Sequence, residues 1–151
     1  MSWPHAAWRV LLLATVISSA VSCEAERRVM LTCPSPDGTN KAVFWVLLTP
    51  SAAGTAYFCL NVAASTRSTS SMISDDKDRE ESQVMVMQDG GVVRLTWLSS
   101  KRLQVEYPED ATLRYASSGA PFSATGVPDL RVVYRGSDTI PDGSDSTCER
   151  P

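Results

Sequence analysis

The residues able to do chemistry in this chain are few, and the scarcest is histidine. Its single copy is His5, inside residues 1–22, which read as an export leader. Once that leader is removed, no imidazole remains for a Ser-His-Asp or Cys-His nucleophile, a His-ligated zinc or proton transfer near neutral pH. Carboxylates are the alternative. Glu106 alternates outward on an expected strand, Glu109 and Asp110 follow in a turn, and Asp37 occupies another turn; a pair at the right separation could hydrolyse a glycoside. No motif holds two of them at a set distance, so surface and turn roles account for all four and no catalytic residue is assigned. Asp76, Asp78 and Glu80 alternate like the start of a calcium loop, yet Glu81 stands where an EF-hand requires glycine. A solvated charged loop is the simpler reading, and no metal or cofactor is expected.

Cysteine offers a different chemistry. The leader has a short start with Arg9, an apolar run of 12 residues from Val10 to Val21, and small residues at its end. At ~1.5 Å rise per residue that run covers about 18 Å, well short of a ~30 Å hydrocarbon core, so it is a cleaved leader and not a span. Ala20-Val21-Ser22-Cys23 resembles the bacterial lipobox, in which small residues precede a cysteine that receives a diacylglyceryl group. Ala20 stands where that pattern usually has leucine, and Ala20-x-Ser22 also suits ordinary cleavage. The resemblance implies lipid attachment at Cys23 and a membrane anchor; without lipid the product is periplasmic or secreted.

Four cysteines in an oxidising compartment, Cys23, Cys33, Cys59 and Cys148, allow three connectivities if all are free. The expected bridge is Cys33–Cys59, both near the first strands; closing that loop of about 26 residues would contribute about 3 kcal/mol. Cys23–Cys148 becomes plausible only without lipid, and with lipid Cys148 is left as a free or intermolecular thiol.

The part available to fold, 129 residues from Cys23 to Pro151, suits one domain. Of the 14 Lys+Arg only Arg9 lies in the leader, so 13 positive side chains face 17 negative ones, a net of −4. A nucleic-acid partner is not expected, because phosphate neutralisation needs a basic patch.

The elements that must position these residues have a period of two. Residues 41–48 are apolar on both faces after Lys41, as a central strand covered on both sides would be. In 55–62, Ala56, Phe58, Leu60 and Val62 face in, while Tyr57, Cys59 and Asn61 form a more polar face; Tyr57 and Asn61 are the candidate binding face. The two strands form a hairpin through a loop with Pro50 and Gly54. Residues 84–88 and 92–98 flank Asp89-Gly90-Gly91, a hairpin signal, and 102–107 adds Leu103, Val105 and Tyr107 inward to make a three-stranded meander. A weaker strand follows at 112–116, and 130–135 closes the pattern with Leu130, Val132 and Tyr134 inward. The expected fold is all-β: a small antiparallel sheet, sandwich or open barrel with long polar loops. Residues 62–82 are expected to be a flexible polar loop and 136–151 a disordered tail. Trp45, Tyr57, Trp97, Tyr107 and Tyr134 alternate with aliphatic neighbours, which favours core packing.

Ser35-Pro36-Asp37-Gly38, followed downstream by Trp97 and the Leu103-Gln104-Val105-Glu106-Tyr107 segment, resembles a group of small uncharacterised bacterial exported proteins, often lipoproteins. In that group the Ser-Pro-Asp-Gly turn opens a strand. The same turn opens blades of TolB-like propellers, but one copy without a repeat excludes a full propeller. The resemblance implies an exported, often lipid-anchored β protein of unknown role and transfers no active site; the expectation is a binding or structural module of the cell envelope, without catalysis, whose protein or glycan partner is unknown. An alternative comes from Ser51-Ala52-Ala53-Gly54-Thr55-Ala56-Tyr57, which is similar to a loop of the membrane-bound lysozyme inhibitors and implies a small periplasmic inhibitor.

Overall fold

A computed structural model describes residues 24–50, 54–117, 127–140 and 145–149, and in these the chain forms a β-sandwich. Sheet A is antiparallel, in the order β1 (Glu26–Pro34), β2 (Asn40–Leu48), β3 (Ala56–Ala64), β4 (Gln83–Gln88), β7 (Thr112–Ala116). Sheet B is mixed, in the order β8 (Arg131–Ser137), β6 (Arg102–Pro108), β5 (Arg94–Ser99), β9 (Thr147–Glu149). Pairing is antiparallel between β5 and β6 and parallel for β5–β9 and β6–β8.

The core between the sheets follows from the alternation. Ala42, Phe44, Leu60, Val62, Met85 and Met87 from sheet A meet Leu95, Trp97, Leu103, Val105 and Val132 from sheet B. Three side-chain hydrogen bonds cross this apolar layer: Trp97 Nε1 donates to the Cys33 carbonyl (3.1 Å), Asn40 Nδ2 to the Ser100 carbonyl (2.7 Å), and the Tyr134 hydroxyl to the Val84 carbonyl (2.6 Å). Each ties a side chain of one sheet to main chain on the other side of the core, and the Val84 carbonyl also accepts from the Ser117 N–H (2.9 Å).

The β1–β2 turn is held by its own side chains. Ser35 Oγ, Thr39 Oγ1 and the Thr39 N–H all donate to Asp37 Oδ1, and Gly38 takes φ 71°, the left-handed conformation that glycine adopts without a Cβ penalty. These donors, Ser35 first and the Thr39 N–H second, hold the Asp37 carboxyl down at about 2.

Residues 62–82, expected as a flexible loop, contain two capped helices. In α1 (Thr69–Ser74) the Ser68 side chain accepts from the Ser71 N–H, and in α2 (Asp76–Ser82) Asp75 accepts from the Asp78 N–H, which satisfies donors that a helix leaves open at its start. Met72 buries itself with Val43, Trp45, Cys59 and Ala63 on the outer face of sheet A. Sheet A is therefore covered on both faces, as the doubly apolar β2 requires.

Three further expectations are corrected. Asp89-Gly90-Gly91 does form a tight turn, with Asp89 and Gly91 both at φ 59°, but it joins β4 of sheet A to β5 of sheet B and makes no hairpin. Met87 on one side and Val93 and Leu95 on the other all enter the common core, so the two segments stack across it and cannot pair. The three-stranded meander reduces to the β5–β6 hairpin. Residues 136–151 are not a featureless tail, since β8 runs to Ser137 and β9 pairs with β5.

Candidate functional site

The expected Cys33–Cys59 bridge is replaced by Cys33–Cys148, with Cα atoms 5.5 Å apart. In sheet A, Cys33 pairs with Ala42 on β2, whereas Cys59 pairs with Trp45 on β2's other side. Two strand spacings, about 10 Å, already exceed the ~7 Å limit for a disulfide. The two side chains also face opposite ways, Cys33 into the core between the sheets and Cys59 toward the helices. Cys148 reaches Cys33 because β9 lies beside both β5 and β1. Cys59 is a free thiol, 3% exposed, and burial pushes it up to about 11. Cys23, the expected lipid site, lies outside the described residues.

The candidate binding face of β3 is no free face. Asn61 is completely buried; its Oδ1 accepts from Trp45 Nε1 (2.8 Å), and its Nδ2 donors are shared among the Met72 carbonyl (3.2 Å), the Arg79 carbonyl (3.0 Å) and Ser82 Oγ (2.7 Å). One amide thus ties sheet A to both helices. Tyr57 is half-buried and packs on the same cluster. Alternation located the polar side of β3 correctly, and the two short helices turned that side into an interior.

The carboxylates are engaged or apart. Glu106 accepts from Arg94 Nη1 (2.9 Å) and Gln104 Nε2 (2.9 Å). Glu109 and Asp110 are exposed after β6, and Asp37 is held in the β1–β2 turn. Asp76 pairs with Arg79 and Asp78 with Arg67. Consecutive helix positions two apart point away from each other, so the alternation of 76, 78 and 80 brings no three acids together. Of the loop compared with lysozyme inhibitors, residues 51–53 lie outside the described residues.

A site that the sequence reading missed lies along β8, an edge strand. Four consecutive residues, Arg131, Val132, Val133 and Tyr134, together with Arg102 from β6, line a groove of about 500 Å³. In the parallel β6–β8 ladder the Arg131 N–H donates to the Lys101 carbonyl and the Ser137 carbonyl accepts from the Glu109 N–H. Odd-numbered residues therefore bond to β6, and the main-chain groups of Val132, Tyr134 and Gly136 point to the open side. Arg102 and Arg131 are directly paired in register and both exposed. Inward Leu103 and Val132 fix their side chains outward on one face, with about 4.8 Å between strands. The nearby acid Asp129 is 3.7 Å from Lys101, and no described carboxylate pairs with either arginine. Tyr134 also lines the groove; its side chain packs against the core, where its hydroxyl bonds the Val84 and Ser117 carbonyls, and burial drives that phenol well above its ordinary range. Two arginines side by side without a carboxylate, beside free backbone, can take an anionic group and an extended chain. Single-sequence alternation could place Arg131 and Arg102 outward, but only the β6–β8 register makes them neighbours.

Comparison of the chain with family models, curated proteins and solved structures finds no match.

Proposed function

We propose that this chain is an exported, lipid-anchored cell-envelope protein that acts by binding and carries out no turnover. The observation that carries the anchor is the state of the other three cysteines: Cys33 and Cys148 are bonded to each other, and Cys59 is sealed beneath the helices. Cys23 is thereby left without a partner among them, at the end of a leader whose last residues suit lipid transfer. An exposed unpaired thiol in an oxidising compartment is reactive, and acylation removes it. Two or more acyl chains, at ~0.8 kcal/mol per buried CH₂, then hold the domain at a bilayer. Only Glu24 and Ala25 separate Cys23 from β1, so the sandwich would sit close against the membrane. The binding part of the reading rests on the open β8 edge and on carboxylates engaged in ion pairs and turns.

Intact-mass analysis of the mature protein from a membrane fraction tests the anchor. The expected product starts at Cys23 and carries a diacylglyceryl increment. A soluble product with a free Cys23 thiol overturns it.

A further inference from the structure

We infer that the β8 edge binds an extended acidic peptide segment, which adds as a strand to sheet B and places a carboxylate between Arg102 and Arg131. This names the partner class for the binding module proposed above and rests on that reading, though not on the lipid. Two independent features point to the same occupant. The first is the backbone: Val132, Tyr134 and Gly136 present N–H and C=O groups outward along an edge with no further described strand, and an incoming strand satisfies such groups. The second is charge. Arg102 and Arg131 are aligned across the ladder with no described carboxylate on either, so their mutual repulsion stands until an anion enters. A carboxylate has lone pairs enough to accept from both guanidinium groups at once, and each guanidinium offers several planar N–H donors that lysine lacks. Exposed Val133 lies two residues along from Arg131 on the same face, giving the incoming strand an apolar contact beside the charged one. The domain's net negative charge makes this corner a local positive site and disfavours acidic segments elsewhere on the surface.

The test is fluorescence anisotropy with the mature protein as the cell makes it and a short labelled peptide of alternating valine and glutamate. Saturable binding is expected, weakened at least about tenfold in the R102A/R131A double variant, since paired charges at an interface set its affinity and specificity. Both positions are exposed, so an unchanged melting temperature verifies the fold. A second probe, the same peptide N-methylated at alternate amides, should bind at least about tenfold more weakly, because it lacks the ladder donors. Absence of saturable binding, full binding by the double variant, or equal binding of the N-methylated peptide would each overturn the proposal, the last by reducing the groove to a simple anion site. Peptide binding by a protein whose Cys23 proves unacylated leaves this inference intact and removes the anchor alone.

Discussion

The outer faces of the two sheets have met opposite fates. On sheet A, Trp45, Asn61 and Cys59 lie beneath two short helices and are buried; on sheet B, Arg102 and Arg131 are exposed and Arg94, Thr96 and Gln104 half-buried. On β3, β6 and β8 these faces are the more polar side of an alternating strand, whereas β2 brings apolar Val43 and Trp45 to the face of sheet A. The difference is that β3 places an amide where four groups of β2 and the helices converge on it, while β6 and β8 place guanidinium groups that have no such partners. Polar residues in a strand therefore take their role from what the following segment brings over them.

That contrast can be broken in order of effect. The Cys33–Cys148 bridge joins sheet A to the edge of sheet B across a sequence separation of 115. Replacing both cysteines with serine should destabilise the domain by about 4 kcal/mol, seen by denaturant unfolding, because so long a loop is released in the unfolded chain. Next comes the covered face. Asn61→Ala leaves Trp45 Nε1 without its acceptor in a buried site, and a loss of about 2–4 kcal/mol is expected. Met72→Ala, which removes the one buried apolar helix side chain packed with Cys59, should cost about 2–3 kcal/mol and accelerate thiol labelling of Cys59.

On the bare face the effects shrink. Arg94→Ala removes a partly exposed ion pair with Glu106 and should change stability by less than about 1 kcal/mol. The smallest effect is set by pH. Asp37 is held below its unfolded value of 3.8, at about 2, so its contribution is complete above about pH 5 and declines as pH falls through the folded value. Wild type and Asp37→Asn, compared by thermal melting, should differ by a constant amount at neutral pH and converge between about pH 4 and pH 2; a gap that widens on acidification contradicts the sign.

Much of the sandwich was legible because β3 and β6 alternate without interruption, with Phe58, Leu60 and Val62 on β3 and Leu103 and Val105 on β6 turned to the core. β1 was not foreseen. It is an edge strand whose register shifts between Val29 and Leu31, leaving Met30 exposed and breaking the period of two that an unbulged strand shows. β9 has three residues and pairs in parallel with β5, a long-range event with no local signal. The helices were missed because Met72 is their one buried apolar side chain. Their caps, Ser68 to Ser71 and Asp75 to Asp78, are made of residue types equally at home in loops. The Cys33–Cys148 pairing and the Arg102–Arg131 pair share a cause: both depend on which strands become neighbours, and spacing along the chain does not encode that.

Residue-resolved amide hydrogen exchange of the mature protein, with and without the valine–glutamate peptide, tests the contrast between the two faces most directly. The amides of Val132, Tyr134 and Gly136 should exchange rapidly in the free protein and become protected when the peptide is added, while β3 around Asn61 stays protected throughout. Slow exchange along β8 in the free protein, or protection that appears over the helices instead, would contradict the account.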